Sequence, residues 1–126
     1  MLSVDSNAII LQSSDLIEMQ KILSKELDID ILILDIDLAE LNITEIINKI
    51  KNLSPNTKII TISSSEDIRT IKKILSFGVK GYITKKCNSN ILSGALKLIL
   101  DGGTYIPPIM LDNNLEYNST NFSSPL

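Results

Sequence analysis

An α/β fold, one parallel sheet with helices on both of its faces, is what this sequence predicts, and three observations predict it. Short β-branched runs alternate with longer segments of helical period along most of the chain, which is the rhythm of parallel βα units. The run Ile31-Leu32-Ile33-Leu34 is apolar at every position and stops at Asp35, as a central strand covered on both faces does. A length of 126 residues suits one domain with one core of its own.

The elements follow in order. Ala8-Ile9-Ile10-Leu11-Gln12 reads as the first strand, and the helix after it is capped by Asp15 with Glu18 at the reciprocal position. Leu16, Met19, Leu23 and Leu27 form that helix's apolar stripe. The second strand is 31–34. Asn42 and Glu45 make the next capping pair, and Ile43, Ile46, Ile47 and Ile50 share one side until Ser54-Pro55-Asn56 breaks the pattern. The third strand is 58–63. A helix over 66–77 turns Ile68, Ile71, Ile74 and Leu75 inward, with Ser65 able to cap its start and Gly78 to end it in the left-handed region. The fourth strand is 81–84. The last helix, 89–100, carries Ile91, Leu92, Ala95, Leu96 and Ile99 and stops at Gly102-Gly103. Residues 1–7 then form a short arm and 8–111 the domain. The Asn/Ser-rich 112–126 reads as a flexible tail or linker.

Composition narrows the chemistry. Lys and Arg number 12 against 15 Asp and Glu, a net charge of −3, and no one-signed block stands out. A bare nucleic-acid-binding module is therefore not expected, because phosphate neutralisation needs clustered positive charge. There is no His and no Trp, and Cys87 is the only cysteine. His-based acid–base catalysis, Ser-His-Asp triads, His/Cys zinc sites and an intramolecular disulfide are thereby excluded. No G-x-G-x-x-G fingerprint favours a nucleotide. Met1 is followed by neither a basic region nor a long apolar run, so no secretory signal and no membrane span are expected, and the cytoplasm is the expected compartment.

Carboxylates, hydroxyls and lysines remain. In doubly wound sheets the ligand crevice lies at the carboxyl ends of the strands, and the residues that close each strand are Asp35 and Asp37, then Ser63, Ser64 and Ser65, then Lys85 and Lys86. A carboxylate partly desolvated by Leu34 and Ile36 can attack a phosphoryl group and form an aspartyl phosphate. An ammonium, a small hydroxyl and backbone N–H groups would then hold the new charge. Asp35, Lys85 and Ser63 suit those three roles. A divalent cation is normally needed to bring two anions together, and magnesium asks for a second carboxylate nearby. The same residues have plainer readings: Asp35 as a solvated strand-end acid, Asp37 as an exposed loop acid or a metal oxygen, the lysines as a solvated pair, the serines as caps. Tyr82 is then a packing residue, and Cys87 an incidental, partly exposed thiol.

At this point the motifs carry a resemblance. Asp30-Ile31-Leu32-Ile33-Leu34-Asp35, Thr61-Ile62-Ser63-Ser64 and Gly78-Val79-Lys80-Gly81-Tyr82-Ile83-Thr84-Lys85, in that order, resemble a response-regulator receiver domain. Asp101-Gly102-Gly103-Thr104-Tyr105-Ile106-Pro107-Pro108 resembles the end of the receiver in regulators of the NarL/FixJ type, where a linker leads to a LuxR-like helix-turn-helix. The likeness covers about 8–111. It implies a flavodoxin-like (CheY-like) sheet, with Asp35 as phosphoacceptor, Ser63 as the hydroxyl that binds the phosphoryl group and Lys85 as its ammonium partner. Ser64 is then the small neighbour that leaves room for the phosphoryl oxygens, and Tyr82 the switch aromatic whose rotamer follows Ser63. Asp37 falls where a backbone carbonyl usually coordinates magnesium, and Asp35 is a candidate ligand of the same ion. The implied function is that of a receiver in a two-component transcription regulator, phosphorylated by a sensor histidine kinase. Such a domain is a phosphoprotein and not an enzyme beyond self-catalysed phosphoryl transfer and dephosphorylation. Phosphorylation would shift the face made by the last two helices and the last strand. DNA would be reached only through a helix-turn-helix outside these residues, and no membrane partner is implied.

Two departures from the family pattern modify this. The family holds its metal with an acidic pair at the tip of a first strand, and here only seven residues precede Ala8. Val4-Asp5-Ser6-Asn7 is similar to that tip, which makes Asp5 a candidate metal ligand, yet the span from Asp5 to Asp35 is too short for a helix, a strand and a helix. The expected fold is thus truncated to about four βα units. Ala39 and Ile43 also stand where the family has Pro and Gly. A missing unit would take a strand from the sheet and a helix from one face, leaving Ile and Leu side chains exposed. Either the strand at 8–12 moves in beside 31–34, or a second copy of the chain fills the space, and a homodimer or poor solubility follows from both. The alternative function is a degenerate pseudo-receiver that serves as a phosphorylation-independent interaction or dimerisation module.

Overall fold

Strand and helix alternate among the residues that the structure, a computed structural model, describes: 9–13, 16–25, 28–37 and 43–111. In chain order they are β1 (Ile10–Ser13), α1 (Leu16–Leu23), β2 (Ile31–Asp35), α2 (Ile43–Leu53), β3 (Lys58–Ser63), α3 (Ile68–Ser76), β4 (Gly81–Thr84) and α4 (Ser89–Leu100). The strands form one parallel sheet in the order β1-β2-β3-β4. Each pair of neighbours is therefore joined by a helical crossover, as parallel strands require.

β1 lies directly beside β2, Ile10 opposite Ile31 and Ser13 opposite Leu34. Of the two outcomes expected for the space next to 31–34, this is the first. The strand starts at Ile10, two residues later than expected, and extends to Ser13. Asp30 pins its entry: Ile9 N donates to Asp30 Oδ2 at 2.8 Å, and the N–H groups of Asp30 and Ile31 donate back to Ile9 O.

Because successive side chains leave a strand on opposite sides, the apolar strands feed two cores. Leu32, Leu34, Ile59 and Tyr82 pack with Met19 and Leu23 of α1, Ile46, Ile47 and Ile50 of α2, and Ile71 and Ile74 of α3. On the other side Ile10, Ile31, Ile33, Ile60 and Ile83 pack with Ala95, Leu96 and Ile99 of α4. Among the described residues, helices thus lie on both faces, three against one. The apolar sheet patch expected to lie open is instead buried: Ile10, Ile31 and Ile33 are at most 1% exposed. With β1 paired to β2, these side chains share one cluster with α4. The large apolar side chains that do meet solvent include Ile17, Leu53, Ile91 and Leu98, on helices.

Several local expectations shift. The caps assigned to Asp15 and Asn42, the stripe residue Leu27, the loop residue Ala39, the candidate ligand Asp5 and the tail 112–126 lie outside the described residues. α3 starts at Ile68 with Asp67 as its cap, the Asp67 side chain accepting from Arg69 N. Ser65 is not the cap, because its hydroxyl is spent accepting from Asp67 N before the helix begins. Gly78 ends this helix at φ +89°, where a side chain would be strained. α4 has the expected bounds with Asn88 as cap. Ile91 does not join its inner stripe and is 41% exposed, since it flanks the row that Leu92, Ala95, Leu96 and Ile99 make at helical spacing. Past α4, Tyr105 bridges to Gly81 and packs on the α4 side, while Met110 is buried in the opposite cluster. The chain between them rounds the β4 edge and covers it.

Candidate functional site

Backbone pairing continues one step past the strand ends: Ile36 N donates to Ile62 O at 3.1 Å, and Lys85 N donates to Ser63 O at 2.9 Å. Those two bonds carry Asp37 and Lys85 to the carboxyl end of β3, where Ser63 is the last strand residue. Asp35 closes β2 beside them, opposite Ile62. The topology thus gathers a carboxylate pair, a hydroxyl and an ammonium from three strands at one rim.

Their geometry is specific. Lys85 Nζ lies 3.1 Å from Asp35 Oδ2 and 3.2 Å from Asp37 Oδ2. Ser63 Oγ donates to Asp37 Oδ1 at 2.7 Å, and the Ser64 N–H donates to Asp37 Oδ2 at 2.7 Å. Asp37 N in turn donates to Asp35 Oδ1 at 3.1 Å. The Ser63 hydroxyl is buried; the side chains of Asp35 and Asp37 are 18% and 26% exposed. The Ser63 hydroxyl above all, with the Ser64 amide and Lys85, holds the Asp37 carboxyl far below the usual carboxylate range against the opposing effect of partial burial. Asp35, and after it Asp37, raises the Lys85 ammonium above the ordinary lysine range.

The bonds run on inward. Ser65 N donates to Ser63 Oγ at 3.1 Å, and the Tyr82 hydroxyl donates to Ser65 O at 2.8 Å. Tyr82 itself is fully buried against the α1–α3 side of the sheet. Lys86 points elsewhere and pairs with Glu66. Cys87 sits partly buried beside the α4 core, and that burial raises its thiol.

Of the residues singled out from the sequence, the structure brings together Asp35, Asp37, Ser63, Ser64 and Lys85, with Tyr82 linked through Ser65. Sequence reasoning missed two features. Asp37 is an exposed turn residue, as one reading had it, but also the acceptor on which Ser63, Ser64 and Lys85 converge; the signal was the Asp35-Ile36-Asp37 spacing, which repeats a carboxylate after two residues. The acceptor for Tyr82 is a backbone carbonyl, which no residue type reveals.

Of the candidate magnesium ligands, Asp35 and Asp37 stand together at the rim, and Asp5 lies outside the described residues. Among the described residues no three acidic, Cys or His side chains gather, and the space between the Asp35 and Asp37 carboxylates is taken by the Lys85 ammonium. What the rim can do chemically is hold an oxyanion: a hydroxyl, an amide and an ammonium converge on one small volume beside a second carboxylate.

Comparison with known proteins points to one family. The family model described as the response regulator receiver domain matches residues 2–97. The chain is 27% identical over 84 residues to the transcriptional regulatory protein DegU of Brevibacillus brevis, covering 67% of this chain and 36% of that one. It is 29% identical over 98 residues to the Fimbriae Z protein of Escherichia coli K12, covering 76% of this chain and 46% of that one. The chain thus spans less than half the length of the curated relatives it matches. Among solved structures, a LuxR family two-component response regulator from Aurantimonas sp. SI85-9A1 superposes with a TM-score of 0.70 at 22% identity, over 85% of this chain and 76% of that one. No helix among the described residues is long and apolar enough to cross a membrane.

Proposed function

The chain belongs to the response regulator receiver domain family, and from that premise we propose that Asp35 is its phosphoacceptor. The observation that supports this most is the convergence of the Ser63 hydroxyl, the Ser64 amide and the Lys85 ammonium beside the Asp35 carboxylate. One Asp35 oxygen attacks phosphorus; the new O–P bond forms as the donor's bond to phosphorus breaks, and the leaving group departs with that electron pair. The product is an acyl phosphate. Its oxygens take the three donors in place of the Asp37 carboxylate that holds them before reaction. Lys85 balances the added charge. Hydrolysis reverses the modification when water attacks the same phosphorus and releases inorganic phosphate.

The donor in this reading is a sensor histidine kinase, in the cytoplasm. Ser63 couples the site to Tyr82 through Ser65, so a phosphoryl group that draws on the Ser63 hydroxyl biases the packing of β4 and its neighbouring helices. Output onto DNA belongs to a helix-turn-helix partner domain of the kind that LuxR-type relatives carry. A second copy of the chain is the other expected partner.

Intact-mass analysis after incubation with acetyl phosphate, with and without magnesium, tests the proposal. The expected result is one phosphoryl adduct on the parent chain and none on Asp35→Asn; the magnesium-free arm reads the metal requirement that the family resemblance implies. A folded parent chain without an adduct in either arm rejects Asp35 as acceptor. The phosphorylation-independent interaction module then stands, a reading favoured by the acid already seated on the three donors.

A further inference from the structure

We propose that Asp37 is an internal ligand of the phosphoryl pocket, a tethered anion that competes with phosphate for Ser63, Ser64 and Lys85. The identity of the pocket rests on the function proposed above; its occupancy rests on geometry alone. Two carboxylate oxygens take all three donors, Oδ1 the Ser63 hydroxyl and Oδ2 the Ser64 amide and the Lys85 ammonium, at 2.7, 2.7 and 3.2 Å. A tetrahedral phosphate oxyanion needs those same atoms. The Ser63 hydroxyl and the Ser64 amide have one hydrogen each and cannot serve both anions, whereas the Lys85 ammonium, with three, already serves two carboxylates.

The tether makes the competition effective. Asp37 stands two residues after Asp35 and its N–H is bonded to Asp35 Oδ1, so its carboxylate is always within reach of the donors and acts at a high local concentration. With a quarter of its side chain exposed, it can rotate into water without disturbing either core. Leaving costs it the bonds to Ser63 and Ser64, and an incoming anion must supply replacements. Occupancy by Asp37 also feeds the inward path: Asp37 accepts from Ser63, Ser63 accepts from Ser65, and the Ser65 carbonyl accepts from Tyr82. The Ser63 hydroxyl of the unmodified chain is therefore already engaged, and Asp37 sets both how readily phosphate enters and how far the inward bonds change when it does.

Titration of the full chain with inorganic phosphate, followed at the Ser64 amide by ¹⁵N NMR, tests this. Asp37→Ala is expected to reach half-saturation at about tenfold lower phosphate than the parent, a difference of about 1.4 kcal/mol, and Asp37→Asn, which keeps the shape and one acceptor, to fall between. Glu66→Gln removes a rim charge without opening the pocket and is expected to stay within about twofold of the parent. Equal phosphate affinity of the parent and both Asp37 variants, or an equal gain in Glu66→Gln, overturns the proposal. Should Asp37→Ala fail to fold, Asp37→Asn decides. Acetyl phosphate separates this inference from the function it rests on: no adduct in any variant rejects Asp35 as acceptor, while a phosphorylated parent with unchanged phosphate affinity in the Asp37 variants rejects only the internal ligand.

Discussion

The two ends of the parallel sheet use the same kinds of residue for opposite purposes. At the amino end, Asp30 accepts from the backbone of Ile9, Thr57 donates to the carbonyl of Ile29, and Lys58 donates to Ile99 O at the end of α4. Each of these three side chains is bonded to main chain, and Thr57 pairs with the Ser54 hydroxyl as well. At the carboxyl end, Asp35, Asp37, Ser63 and Lys85 are bonded largely to one another. Main-chain partners cannot leave without unfolding an element, whereas side chains that satisfy each other can be exchanged for a ligand offering equal bonds. An acid, a hydroxyl and a lysine therefore do not mark a site by their presence; their partners do.

Substitutions at the two ends should break apart on this line. The largest effect is expected from Lys85→Met: the rate of phosphoryl-adduct formation falls about 100-fold in acetyl phosphate time courses, while the urea midpoint stays close to that of the parent because an exposed ion pair adds little stability. Asp30→Ala is the converse. Loss of its bond to Ile9 N at the entry of β1 should lower stability by about 1–3 kcal/mol in urea denaturation and leave the phosphate titration at Ser64 unmoved.

Tyr82→Phe sharpens the boundary between the regions, since the ring belongs to the core and the hydroxyl to the rim. Losing the bond to Ser65 O should cost about 0.5–1.5 kcal/mol, with the packing retained, and should uncouple the Tyr82 surroundings from phosphate added at the rim. The smallest effect is on acid stability. The folded state holds the Asp37 carboxyl below its unfolded value of about 4, so the stability it contributes is complete above that pH and drains away as pH falls below it. Asp37→Asn should flatten that limb of a stability–pH curve. Lys85 works in the other direction: its raised value contributes stability that is full below about pH 10.4 and is lost as pH climbs beyond it.

Much of this was legible in the residues. The runs 31–34, 58–63 and 81–84 are apolar or β-branched where they must be buried, and the strands coincide with them or extend them by one residue. Gly78 and Gly102 mark helix ends, and both adopt positive φ, because few other residues tolerate that region. The order of strand-end residues also placed Asp35, Ser63 and Lys85 at one rim, since parallel strands joined by crossovers present the same end of every strand on the same side. Less legible were the helix cap at Asp67 and the passage of the chain from Tyr105 to Met110. Both depend on which of several competent partners lies within reach.

What the sequence by itself determined is therefore periodic and local: which segments are strands, which are helices, and which residues close each strand. The tertiary structure alone decided that β1 packs against β2 and buries Ile10, Ile31 and Ile33, and that the Asp37 carboxylate turns onto Ser63, Ser64 and Lys85. The physical reason is the same in both cases. An apolar edge and a charged side chain each have several partners of similar chemistry, and only the distances set by the folded backbone choose among them.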